Sequence, residues 1–320
     1  MIIAQISDTH LALNTADADQ RTRDFALTVA DINALDPAPD IIIHTGDIVH
    51  NGRQDEYAEA AAALAKAAAP VYVLVGNRDN RANLRAAFSA CGYLAPDSDF
   101  IDYAIDDYPI RLIALDTLSS GSNKGDFCPE RVRRLIDLID AETAKPIAVF
   151  THHPPFEVTV GPDRLHFETP EIMSRLRRAL QHSGRVVAVF SGHVHRAAAG
   201  YVGSIPATVV PCIATTLRKG EYPPHMRMCP VYHVHRFDPL WGFATETRIV
   251  RAGPSMASSA TGGGQGLGGL SGSAAFGGGG ATSAITTSTA GASSSGSGYA
   301  QVQTSGYAGG NVSGYGARSR

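Results

Sequence analysis

An α/β domain over residues 1–250, followed by a low-complexity tail over 251–320, is the architecture this sequence predicts. Short β-branched runs alternate with helical stretches, the pattern of an α/β chain. The runs are almost continuously Ile- and Val-rich, as expected of strands covered on both faces. Composition then changes abruptly: of 33 glycines, 13 lie in residues 1–250 and 20 in the last 70.

The first predicted strand is Ile2–Ile6, and others follow at 40–44, 71–75, Arg111–Leu115, Ile147–Thr151 and Val186–Ser191. Helical spacing predicts helices over 22–35, 55–69, 130–142 and 170–181. The third opens on Pro129-Glu130, a favourable first turn, and repeats Val132, Leu135, Ile136 and Ile139 along one face. From Tyr201 to Val250 the helical period fades. The runs 208–210, 231–234 and 247–250 predict a second, more antiparallel sheet. The tail is rich in Gly, Ala, Ser and Thr, with isolated Tyr299, Tyr307 and Tyr315. It offers too little apolar surface to offset its backbone entropy, which predicts disorder.

Charge and cysteine content narrow the function classes. Of 27 Lys and Arg, only Arg251, Arg318 and Arg320 lie in the tail, which holds no acid, so the body carries 24 cations against 30 acids. That balance argues against a general nucleic-acid surface, which is gripped by clustered Lys and Arg. Cys91, Cys128, Cys212 and Cys229 form no paired motif and read as reduced thiols. The N-terminus lacks the basic and apolar regions of a signal peptide, and no stretch approaches the ~18 apolar residues of a membrane helix. The expectation is a cytoplasmic protein without a membrane partner.

Chemistry is concentrated where predicted strands end. Strand ends are followed by Ser7-Asp8-Thr9-His10, Gly46-Asp47, Gly76-Asn77-Arg78-Asp79, His152-His153-Pro154-Pro155 and Gly192-His193-Val194-His195. Ligands of open α/β sheets bind outside the carboxyl ends of the strands, so five strands deliver oxygen and imidazole donors to one edge. Singly, each has an ordinary reading: Asp8 as a helix cap, Gly46-Asp47 as a turn, His193 and His195 as turn residues. The five together point to a metal centre, and mixed imidazole and carboxylate donors suit Mn, Fe, Zn or Co. Glycine before Asp47, Asn77 and His193 permits positive φ and close backbone approach.

The ordered blocks Asp8-x-His10, Gly46-Asp47, Gly76-Asn77, His152 and Gly192-His193-Val194-His195 resemble the five-block signature of the calcineurin-like metallophosphoesterases. Gly46-Asp47-Ile48-Val49, Gly52-Arg53, Glu56-Tyr57, Asp106-Asp107, Lys124-Gly125 and His152-His153-Pro154-Pro155 are similar to the bacterial class III cyclic-nucleotide phosphodiesterases and their glycerophosphodiesterase relatives. The resemblance implies a four-layer αββα sandwich holding two divalent metal ions. Asp8, His10, Asp47 and His195 would hold the first. Asp47, Asn77, His152 and His193 would hold the second, with Asp47 bridging. It also implies that His152, not His153, faces the metal, and that a homo-oligomer forms. Neighbouring side chains of an extended segment point oppositely, which agrees. His44 reads as a core residue. His50 either reaches substrate or does nothing there.

A two-metal site activates water and binds phosphate oxygens, so the expected reaction is attack by metal-bound hydroxide on a small phosphodiester. The chain has no nucleophile-elbow serine and no Walker loop. The resemblance ranks 3′,5′-cyclic nucleotides such as cyclic AMP first and glycerophosphodiesters second. A phosphomonoesterase, a nuclease or a weakly active ligand-binding scaffold are the alternatives. Arg78 stands where the family usually has a catalytic histidine. A guanidinium can hold charge on a phosphoryl or leaving oxygen but cannot deliver a proton at neutral pH. Arg78 therefore reads either as a substrate clamp at the catalytic position beside Asn77 or as an ion-pair partner of Asp79.

Overall fold

The computed structural model describes residues 1–250. The predicted tail over 251–320 lies outside the described residues. Eleven strands and five α-helices run in the order β1 (Ile2–Ile6), α1 (Ala18–Asn33), β2 (Ile41–His44), α2 (Gln54–Leu64), β3 (Val71–Val73), α3 (Arg81–Ala87), β4 (Tyr103–Ile105), β5 (Arg111–Leu115), α4 (Pro129–Asp140), β6 (Ile147–Thr151), α5 (Pro170–Leu180), β7 (Val186–Ser191), β8 (Ala198–Val202), β9 (Ile205–Val209), β10 (Val231–Asp238) and β11 (Gly242–Ile249). None of the described helices is long and apolar enough to cross a membrane.

The strands form two mixed sheets, ordered β11-β10-β1-β2-β3 and β4-β5-β6-β7-β9-β8. Alternation along single strands shows how they stack. Leu112, Ala114, Ala148 and Phe150 join the core that contains Ile3, Ile6 and Ile42 of the first sheet. Their neighbours Ile113, Leu115, Ile147 and Val149 face the other way, onto Leu135, Ile139 and Leu176 of α4 and α5. Phe25, Val29, Tyr57 and Leu64 of α1 and α2 pack on the first sheet. The result is the expected four-layer αββα sandwich, with strands covered on both faces as their Ile/Val content requires.

The C-terminal runs do not make a sheet of their own. β10 pairs antiparallel with β1 and carries β11 at the edge of the first sheet, while β9 extends the second sheet parallel to β7. The second predicted helix stops at Leu64 rather than residue 69. Pro70 excludes a helical residue before it, and Asn33 fastens the intervening turn by donating to the Lys66 carbonyl and accepting from the Ala68 N–H, both at 2.8 Å. At the outer edge of the first sheet, the Tyr93 hydroxyl accepts from the Val73 N–H (3.1 Å) and the Tyr103 hydroxyl donates to the Val73 carbonyl (2.8 Å).

Candidate metal centre

The backbone itself marks the site. Asp8, His10, Asp47, His193 and His195 have φ of 54°, 43°, 51°, 74° and 58°, and among the described residues no other non-glycine residue has positive φ. The left-handed region costs an L-residue about 1–2 kcal/mol, and such strain persists where the surrounding fold over-determines it. Of the three preceding glycines only Gly46 uses positive φ, at 95°. Gly76 and Gly192 are needed for space: a Cβ on Gly76 would overlap Asp47, and one on Gly192 would overlap Ser7 Oγ and Asp8 Oδ2.

These donors gather at the meeting of the two sheets, not along one sheet edge. Asp8, His10, Asp47 and Asn77 follow strands of the first sheet; His152, His193 and His195 come from the second. Asp8, His10, Asp47 and His195 form one cluster, with one donor atom of each within 4.8 Å of the others. His10 Nε2 lies 3.0 Å from His195 Nε2, 3.5 Å from Asp47 Oδ2 and 3.8 Å from Asp8 Oδ1. His195 donates its Nδ1 proton to the Leu217 carbonyl (3.0 Å), which leaves the Nε2 lone pair facing the cluster.

The second cluster shares Asp47. Its other oxygen, Oδ1, is 3.5 Å from His152 Nε2. The Asn77 side-chain oxygen lies 3.1 Å from His152 Nε2 and 2.9 Å from His193 Nδ1. His152 donates from Nδ1 to the Thr45 carbonyl at 2.8 Å, again freeing Nε2. His153 also lies close enough to group with His152 and His193. Both its nitrogens are occupied, however: Nε2 donates to the Asn123 carbonyl (3.2 Å) and Nδ1 accepts from the Thr117 hydroxyl (2.8 Å). It supports the cluster without offering a lone pair.

Electrostatics match donors awaiting cations. Burial opposes ionisation of Asp47, but His152, His10 and the Arg78 N–H together hold its carboxyl below the usual range. Burial likewise opposes charge on His152, and Asp47 outweighs it, raising that ring to about 9. His195 is raised against its burial by Asp8. Burial lowers His10 to about 4, and burial with the neighbouring His153 lowers His193. Asp47 with His152 and Asp8 with His195 thus favour each other's charged forms against burial. Asp8 Oδ1 is buried without a hydrogen-bond partner, a cost that a cation would remove. Two imidazole nitrogens 3.0 Å apart also fit a shared ion, since metal–nitrogen bonds of about 2.0–2.1 Å place them roughly 3 Å apart. The residues present fit two divalent cations.

Arg78 sits at the rim. Its backbone N–H donates to Asp47 Oδ1 at 2.7 Å, and its side chain is exposed. Asp79 is instead engaged by the N–H groups of Gly76, Ile48 and Val49 and by the Tyr57 hydroxyl. The ion-pair reading of Arg78 therefore falls. His44 is buried and donates from Nε2 to Thr9 Oγ1 (2.8 Å), a core role as expected. His50 Nδ1 stands 3.5 Å from His10 Nδ1. Asp106 is exposed and pairs with Arg111 in the β4–β5 connection. His166 carried no spacing signal, yet its ring packs edge-on against His193, centroids 5.3 Å apart.

The profile described as calcineurin-like phosphoesterase matches residues 1–197. A protein of Arcobacter nitrofigilis named "Probable glycerophosphodiester phosphodiesterase" is 31% identical over 261 residues, covering 78% of this chain and 93% of its own length. A "Probable cyclic nucleotide phosphodiesterase" of Rhodococcus erythropolis is 30% identical over 224 residues, covering 65% of this chain and 69% of its own length. A dimetal phosphatase from Danio rerio shares the fold, with a TM-score of 0.59 at 14% identity, over 78% of this chain and 99% of that one.

Proposed function

This chain belongs to the calcineurin-like phosphoesterases, hydrolases built on a binuclear metal centre, and on that premise we propose that it hydrolyses small phosphodiesters, glycerophosphodiesters before cyclic nucleotides. The observation that carries the reading is Asp47, whose two oxygens face two separate donor clusters. That is the arrangement expected of a carboxylate bridging two ions, with Asp8, His10 and His195 on one side and Asn77, His152 and His193 on the other. Residues 1–250 are the catalytic unit in this reading.

Bound there, two cations of the Mn, Fe, Zn or Co type would supply Lewis acidity toward a phosphate and a hydroxide source at neutral pH. The chain's own groups do the remaining work. The Thr45 and Leu217 carbonyls hold the Nδ1 protons of His152 and His195, so Nε2 is the atom each ring would offer a cation. The Arg78 N–H holds Asp47 Oδ1, and the exposed Arg78 guanidinium is free to bind a phosphoryl or leaving oxygen. Glycerophosphodiesters rank ahead of cyclic nucleotides because the glycerophosphodiesterase relative is matched over 93% of its length. The acidic body speaks against a nuclease.

The test is a panel with metal-reconstituted protein: a glycerophosphodiester, cyclic AMP, an aryl diester and an aryl monoester. The expected result is turnover of the diesters above the monoester, lost with both metal ions in Asp47→Ala. A monoester preferred over every diester would refute the substrate class. Full metal content in Asp47→Ala would refute the bridging carboxylate.

A further inference from the structure

A polar seam lies beneath the two clusters, inside the sandwich. Gln5 is fully buried in the Ile-rich β1, where the pattern expects an apolar side chain. Its amide nitrogen donates to Thr45 Oγ1 and to the Ser191 carbonyl, both at 3.1 Å. Its oxygen accepts from His235 Nε2 at 2.9 Å, while His235 Nδ1 accepts from the Thr245 hydroxyl at 2.8 Å. The orientation is forced, because a carbonyl only accepts and so the amide nitrogen must face Ser191. Phe190 stacks against the face of the His235 ring, centroids 4.0 Å and planes 34° apart.

One amide therefore joins three strands that carry candidate ligands. Gln5 precedes Asp8 on β1, Thr45 precedes Asp47 after β2, and Ser191 precedes His193 at the end of β7. The bond to Ser191 crosses from the first sheet to the second. The two clusters depend on that crossing unequally. The first draws three donors from the first sheet and only His195 from the second. The other draws Asp47 and Asn77 from the first sheet and His152 and His193 from the second.

We propose that Gln5 is a positioning residue: it fixes the second sheet against the first and so sets the geometry of the Asp47–Asn77–His152–His193 cluster. The inference rests on reading both clusters as metal sites. A merely structural Gln5 would affect stability and leave the relative affinity of the two sites unchanged.

Metal-free wild type, Gln5→Met and Gln5→Glu are titrated calorimetrically with Mn²⁺, and electron paramagnetic resonance is recorded at each addition. Met keeps the volume and removes all three bonds. Glu keeps the shape and the acceptor for His235 but loses the donation to Ser191, and it decides the matter if the Met variant does not fold. Wild type is expected to take up two ions and give a spin-coupled pair. Both variants are expected to bind one ion within about threefold of wild type and the other about 10–100-fold more weakly, the usual cost of losing a group that orients a ligand. The coupled signal then yields to that of isolated Mn²⁺ at stoichiometric metal. Two ions bound at wild-type strength, or both weakened equally, overturns the proposal. Wild type that binds fewer than two ions overturns the metal reading beneath it.

Discussion

Replacing Arg78 by histidine separates charge stabilisation from proton delivery at one position. The Arg78 side chain is exposed and Asp79 is satisfied by other partners, so the substitution removes no buried contact and should move stability by less than about 0.5 kcal/mol. The backbone N–H that holds Asp47 Oδ1 at 2.7 Å is retained, so the metal seat should not change. What changes is the proton. General acid help is typically worth about 10²–10⁴-fold, and an exposed imidazole without an orienting partner should deliver the lower end, about 10². That corresponds to roughly 2.7 kcal/mol of barrier. Turnover of a diester with an alkyl leaving group should rise by about that factor, while an aryl diester, whose leaving group departs without a proton, should change less than about threefold. The sign in pH is fixed by the donor form. The imidazole is protonated below its pKa, about 6.5 when exposed, so the gain is full at lower pH and fades above it. The assay is kcat for both diesters from about pH 5.5 to 8.5 at saturating metal, a span bracketing that pKa. Equal changes on the two substrates, or an alkyl gain undiminished at the alkaline end, would refute a leaving-group role for this position.

Three further outcomes follow from named contacts. His152 is raised to about 9 against burial by Asp47, so its contribution to the metal-free fold is full below its unfolded pKa of about 6.5. It is lost as pH rises through 9; melting curves with chelator should shift downward over that window, and an upward shift would contradict the pairing. Gly192→Ala places a Cβ against Ser7 Oγ and Asp8 Oδ2 and should lower the metal content of purified protein below two ions; unchanged content would show that the loop can yield. Tyr57→Phe removes a hydroxyl that donates to Asp79 Oδ1 (2.8 Å) and accepts from the Asn80 N–H (2.9 Å). It should cost about 1–3 kcal/mol in denaturant titration, and no measurable loss would mean Asp79 finds water instead.

Local pattern fixed the strands that carry the site. β1, β5, β6 and β7 have the bounds that their Ile/Val runs predict, because burial on both faces leaves an unbroken apolar run. β4, α3 and β8 were missed. Three residues of strand and seven of helix, Arg81–Ala87 with only Leu84 buried, are too short for a period to emerge. β8, Ala198–Val202, has the weak pattern Ala-Ala-Gly-Tyr-Val and only Val202 buried. Sheet membership was misread for a different reason. β10 lies beside β1 through pairs such as Ile3 with His235, a contact across most of the chain that local spacing cannot encode. The same gap led to a single edge being expected where two sheets meet. The candidate ligands were legible because Asp, His and Asn at strand ends break an apolar pattern. Gln5 breaks the pattern too, one polar residue inside Ile-Ile-Ala-Gln-Ile, and that signal was there to be used. His166 had none: its place beside His193 comes from a loop folding back.

The tyrosine clasp on Val73 bears on solubility. An outer strand normally offers a row of free N–H and C=O groups, on which another chain can add a strand. At Val73 the outward donor and acceptor are already spent on Tyr93 and Tyr103, and β3 is only three residues long. At Val73 an incoming strand would have to displace both hydroxyls to gain its ladder bonds. The side chains that steady the chain just before Gly76-Asn77 therefore also work against self-association at this edge, beside Pro70 at its start.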